Sequence, residues 1–254
     1  MRILRRAFLV LVAVLAIAGA IAATFPADTA YRLVSDRMGA IRLAAVSGTI
    51  WQAHAGSLQA FGQELGAVDW TLRASPLLRG TVAGHVNLGG GAITASGDFE
   101  RDADAAITAR NASVSFPASL AAPALDIPAL TLLGHIDGRI EQATLRGAWV
   151  NAATGTLRWN QAAVAGAAQA QLGDIEAAFG SAADGSIAGQ VRDLGGPLQV
   201  AGRFRVTAGT FDADATLNAR DGNPQVTDAL RFIGEPQADG SSHLIIHGQL
   251  FQIF

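Results

Sequence analysis

The chain has no lysine and no cysteine among its 254 residues, and only five glutamates. Without lysine there is no Schiff-base chemistry and no Walker-type phosphate loop. Without cysteine there is no thiolate nucleophile, no cysteine metal site and no disulfide, so an exported domain must be held by its core. Positive charge is also short: beyond residue 25, 15 arginines stand against 21 acids, a balance of −6. That argues against nucleic acid as a partner and against binding anionic lipid through bulk charge. Glycine is abundant at 29 residues, alongside Ala, Val, Thr and Leu, a mixture that favours short strands and tight turns.

One long apolar run is present. Ala7 to Phe25 carries no charge, with Phe8, Leu9, Val10, Leu11, Val12, Val14, Leu15, Ile17 and Ile21 as its bulk. As a helix rising about 1.5 Å per residue it comes close to the ~30 Å hydrocarbon thickness. Helix is the natural spanning form, because the bilayer offers no water to open backbone groups. Arg2, Arg5 and Arg6 precede the run and Pro26, Ala27 and Asp28 follow it. The positive-inside bias predicts a cytoplasmic tip at 1–6, a transmembrane anchor at 7–25 and an exported remainder. A cleaved signal is the alternative, with small residues at Ala20, Ala22 and Ala23. The run is longer than the roughly 7–15 residues of a usual signal core, and both readings export the body.

The exported 229 residues suit one sizeable domain or two small ones. Ala27 to Met38 is predicted as a short helix with Tyr31, Val34 and Met38 on one face and Asp28 or Thr29 as cap. From Ala40 the period changes to two. Leu198, Val200, Gly202, Phe204 and Val206 oppose Gln199, Arg203, Arg205 and Thr207, and Phe211 to Leu217 resume the pattern after Ala208-Gly209. Sets around Val82, Ile93, Ile136, Ile187 and Leu244 read alike, and turn signals at this spacing predict an antiparallel meander. An apolar-any-Gly-any-apolar pattern recurs at Gly84, Gly138, Gly189, Gly202 and Gly248. Interior strand glycine is costly, so each either complements a bulky neighbour in a packed sandwich or opens a shallow trough. Ser75-Pro76-Leu77-Leu78 reads as one helical turn, and Asn223-Pro224 as a helix start with Val226, Leu230 and Ile233 on one face and Gly234 at its end.

Gly48-Thr49-Ile50 leading to Gly66 and Trp70 is echoed by Gly138-Arg139-Ile140 leading to Gly155 and Trp159. Self-similarity at ~90 residues suggests two related β halves. The division drawn is a first half at 26–111, an Ala/Pro-rich bridge at 112–128 and a second half at 129–254.

No residue cluster points to catalysis. His243 and His247 have the spacing of a helical zinc pair, but on a strand they stand about 13 Å apart. His54, His85 and His135 lack a carboxylate at a suggestive spacing, so no metal or cofactor is expected. Asp212 and Asp214 share a face with Thr216 and Asn218, which reads as surface, and Asp102 and Asp104 mark a hairpin end. Ser57 lacks the second glycine of a nucleophile elbow. Gly89-Gly90-Gly91 precedes a strand, leaving no helix N-terminus to receive a phosphate. Trp51, Trp70, Trp149 and Trp159 suit a core edge or an interface.

Ser47-Gly48-Thr49-Ile50-Trp51, Val68-Asp69-Trp70 and Pro76-Leu77-Leu78-Arg79-Gly80 together resemble protein N of the bacterial type II secretion system. Gly155-Thr156-Leu157-Arg158-Trp159, the Gly202 strand, Leu230 to Gly234 and the strand through Gly248 extend the resemblance over the whole chain. A departure is Gln52-Ala53 after the first Trp, where the family often has glycine. The resemblance implies a non-enzymatic, bitopic inner-membrane subunit with a periplasmic scaffold domain. It implies as partners other bitopic inner-membrane secretion subunits and the outer-membrane secretin, and no catalytic residues. The expected fold is mainly β, an antiparallel meander, curved sheet or sandwich-like groove. The alternative function is an envelope β-groove protein that handles lipid in an apolar trough.

Overall fold

Alternating apolar and polar residues fold here as strand after strand, each but Glu235–Pro236 hydrogen-bonded to the one before it. In the computed structural model the described residues are 23–60, 62–122, 130–147, 149–207 and 209–249. The run 7–25 lies outside them up to residue 22, and among the described residues no helix is long and apolar enough to cross a membrane.

The strands are β1 (Ile41–Gly48), β2 (Gln52–Ala60), β3 (Gln63–Arg73), β4 (Val82–Gly89), β5 (Thr94–Arg101), β6 (Ile107–Pro117) and β7 (Leu130–Arg146). They continue as β8 (Trp149–Gly166), β9 (Ala170–Ser181), β10 (Ile187–Asp193), β11 (Leu198–Thr207), β12 (Thr210–Ala219), β13 (Glu235–Pro236) and β14 (Ser242–Gln249). All fourteen form one antiparallel sheet in chain order, except that β14 sits between β12 and β13. The meander is as expected; the sandwich-like alternative is not, because every strand among the described residues belongs to this one sheet. The sheet also runs on through the point where the sequence divides the halves. β6 passes through Asn111, and the described part of the Ala/Pro-rich stretch begins as strand and continues into a 3-10 turn at Ala118–Ala121. The suggested repeat is not matched strand for strand: Gly48 and Trp70 lie on β1 and β3, two strands apart, whereas Gly138 and Trp159 lie on adjacent β7 and β8.

Register explains the strand glycines. One row across the apolar face reads Gly155, Phe179, Gly189, Phe204, Ala213, Ile246 on β8 to β12 and β14. Small and large alternate, so each ring lies over the glycine beside it. A Cβ on Gly155 would meet the Phe179 ring at 3.1 Å, and one on Gly189 would collide with Phe204. Gly84 lies under Phe99, and Gly138 under Val114 and Leu157. The Phe179, Phe204 and Phe211 rings follow one another at 6.5 and 6.1 Å. These glycines are therefore filled positions that level the sheet, as close packing requires, and not an empty trough. Gly248 differs: nothing lies within 4 Å of its would-be Cβ.

Two helices lie on the apolar face. Helix α1 (Ala27–Val34), followed by a 3-10 turn at Ser35–Arg37, covers the first strands. Its cap position is Pro26 and no side chain caps it, contrary to the expectation for Asp28 or Thr29. A single turn, α2 (Ala74–Leu77), joins β3 to β4. Helix α3 (Pro224–Leu230) begins as expected, with Asn223 Oδ1 accepting from the N–H groups of Gln225 and Val226. Its Val226, Ala229 and Leu230, with Ile233 beyond, are buried against Leu130, Leu132, Val164, Leu172, Leu198, Val200 and Leu217. This cluster is the main core.

The two sheet borders differ. Along β1, Ile41 N–H bonds to Met38 O, Leu43 N–H donates to the Tyr31 hydroxyl at 3.0 Å, and Thr49 bridges to Pro26. Along β14, β13 pairs only with Ser242 and His243, and among the described residues no strand lies beyond Leu244 to Gln249.

Candidate functional site

The segments that carry the family resemblance in the first strands converge at one end of the sheet. Gly48 has φ +90°, and a Cβ there would strike the Gln52 carbonyl, so only glycine makes this turn. Thr49 holds the turn by donating its N–H to Gln52 O at 2.9 Å, while its hydroxyl accepts from Gln52 N–H. Ile50 N–H donates to Phe25 O at 3.0 Å, which fixes Phe25 against the same turn. Leu72 N–H donates to Trp51 O at 2.7 Å, and Trp70 faces the underside of α1. In the neighbouring connection the buried Pro76 offers its carbonyl to Arg79 and Thr81 N–H. That turn pushes out Leu77 and Leu78, which are 42% and 91% exposed.

Between α1 and the sheet lies a cavity of about 440 Å³ lined by Ala30, Tyr31, Leu58, Trp70, Val86 and Phe99 among others, all apolar apart from the Tyr31 hydroxyl and the Trp70 indole N–H. Other motif residues serve packing. Trp159 donates from Nε1 to Leu133 O at 2.8 Å at the margin of the main core, and Gly155 lies under Phe179. A Cβ on Gly202 would meet that of Ala215 at 2.6 Å, and Trp149 lies against the turn at Gly209. All four tryptophans are half-buried.

The polar face carries a feature that sequence spacing missed. His54 Nδ1 meets Asp69 at 2.8 Å, His85 meets Asp98 at 3.2 Å, His243 meets Asp214 at 3.1 Å and His247 meets Asp212 at 2.7 Å. The partners are 13 to 35 residues apart in sequence and adjacent only through strand register, so no local pattern could reveal them. Ser96 Oγ also stands 3.1 Å from His85 Nε2, completing a Ser–His–Asp line. A nucleophilic serine needs oxyanion donors as well; here β5 pairs continuously with β4, while its ladder to β6 is interrupted by a bulge between Ser96 and Asp98. Asp212 and Asp214 face histidine and arginine and not each other, Ser57 donates to Glu64, and Asp102 accepts from Ala106 N–H to close its hairpin. Among the described residues no three metal-binding side chains come together.

A second constellation also escaped the sequence. Asp193 accepts from the N–H groups of Gly195 and Val200 and from Arg220, which in turn donates to Gly196 O. Burial raises the Asp193 pKa, but the two N–H groups and the Arg220 charge outweigh it, and the net shift is downward. The hydrogen bond from Arg158, then that from Gln161 N–H, lower Asp174 likewise.

The described residues thus form a single antiparallel sheet with helices laid on one face. The chain belongs to the family of type II secretion system (T2SS) protein N, whose family model matches residues 39–244. That makes it a component of the protein-secretion machinery. No curated protein and no solved structure matches it.

Proposed function

We propose that the chain is a non-enzymatic subunit of the type II secretion system, held in the inner membrane by residues 7–25 with its sheet in the periplasm. There it would scaffold other bitopic inner-membrane subunits and link them towards the outer-membrane secretin. One observation carries this reading. The segments 47–51, 68–70 and 76–80 gather at the strand ends where Phe25 enters the sheet through its bond to Ile50. A body so placed presents its motif surface next to the membrane, within reach of other anchored subunits. Family membership supports the secretion role, and the apolar run with its flanking arginines supports the topology.

Detergent extracts of membranes test the proposal: the full chain co-purifies with other inner-membrane secretion subunits, and deleting residues 26–254 stops export. Normal export after that deletion removes the reading. Protease added to spheroplasts digests the body; protection would place it on the wrong side. The rival reading is lipid handling along a continuous trough, and the rings over Gly155 and Gly189 weigh against it on that part of the sheet. It narrows to the cavity under α1.

A further inference from the structure

We propose that the cavity between α1 and β1–β5 takes one acyl chain of a membrane lipid; the inference rests on the anchored topology above. The space is about 440 Å³, within the roughly 300–1,000 Å³ of small-molecule sites. Its chemistry selects the ligand. Ile41, Leu43, Leu58, Val68, Trp70 and Phe99 line it from the sheet, and Ala27, Ala30 and Val34 from the helix. The lining side chains bring two polar groups, the Trp70 indole N–H and the Tyr31 hydroxyl, and the latter already accepts from Leu43 N–H. Water would find too few partners there, and so would a sugar, a peptide backbone or a headgroup. An unbranched hydrocarbon needs none, and it restores the dispersion contacts that empty apolar space forfeits.

Position supplies the source. The apolar run ends at Phe25, and Ala27, two residues on, lines the cavity. Leu77 and Leu78 project from the β3–β4 connection at the same strand ends, with Arg79 beside them. Exposed leucines next to arginine suit the boundary between hydrocarbon and headgroups. The cavity thus lies beside the leaflet that the anchor leaves. A lipid tail can enter while its headgroup stays at the surface.

The test uses the full chain reconstituted into phosphatidylglycerol–phosphatidylcholine vesicles whose acyl chains are brominated at mid-chain. Trp51→Phe, Trp149→Phe and Trp159→Phe leave Trp70 as the reporter in the cavity, and a parallel variant keeps only Trp51. Trp70 is expected to lose most of its fluorescence in brominated vesicles, and Ala30→Phe, which fills the cavity, to restore it. Should Ala30→Phe fail to give the strand signature in circular dichroism, Val86→Phe fills the same space from the sheet side. Quenching that survives a folded filling variant overturns the proposal, because bromine then reaches Trp70 by another route. A bright Trp70 with a quenched Trp51 overturns it too and leaves the anchored topology standing. If both stay bright, the body does not meet the bilayer and the inference is overturned, while the anchored topology is decided separately by the protease test on spheroplasts.

Discussion

Two helices lie on the same apolar sheet face, and they cover it very differently. Helix α3 is capped by Asn223, and Val226, Ala229, Leu230 and Ile233 all bury against β7 to β12. Helix α1 starts uncapped after Pro26, buries only Ala27, and leaves a 440 Å³ cavity above Trp70. The residues account for the contrast. Leucine, valine and isoleucine at helical spacing fill the space at α3, whereas α1 offers alanines at positions 27 and 30 with Tyr31 tied to the β1 border. A helix that merely closed the core would be expected to resemble α3. The looser one sits where the chain arrives from its apolar run, and there the fold keeps room.

Substitutions at matched positions break or sharpen this contrast. Leu230→Ala should cost about 3 kcal/mol in chemical denaturation, as core truncations do. Val34→Ala on α1, 45% exposed, should cost less than ~1 kcal/mol. Equal losses would mean that both helices close a core. Beneath the helices the sheet has its own tight and open positions. Gly189→Ala, driven into the Phe204 ring, should cost about 2 kcal/mol by overpacking, while Gly248→Ala should stay within ~0.5 kcal/mol. Asn223→Ala, which removes the α3 cap, should cost about 1 kcal/mol. α1 has no side-chain cap to lose.

Acid gives the smallest effect. Asp193, at the turn before β11, and Asp174, beside Arg158, have pKa values below the usual 3.8. A carboxyl with a lowered folded pKa stabilises the fold above its unfolded value and loses that contribution as pH falls through the folded one. Stability should therefore drop below about pH 4, and Asp193→Asn should remove part of that dependence in denaturation curves taken across this range.

The strands were legible because one face is apolar and the other wet. Leu198–Thr207 is a strand over the span that its alternation marks, and Asn223-Pro224 starts a helix as its capping chemistry requires. What depended on register was not legible. His85 and Asp98 pair only because β4 and β5 align, and Phe204 fills Gly189 only because β10 and β11 do. Within the Ala/Pro-rich stretch read as a bridge, residues 112–117 run as strand, Ala112 pairing with Ile140. At α1, the acid and threonine next to Pro26 looked like caps, yet proline took the position with its own fixed φ of −66°.

The unequal borders of the sheet set a limit on growth. An edge strand is a template for pairing with another chain, and among the described residues β1 is occupied by its own N-terminal segment while β14 is covered for only two residues. Among the described residues a newcomer therefore finds a single open seam. Two copies joined along it would each use up the other's seam, so that pairing stops at a dimer and cannot run on into a fibre.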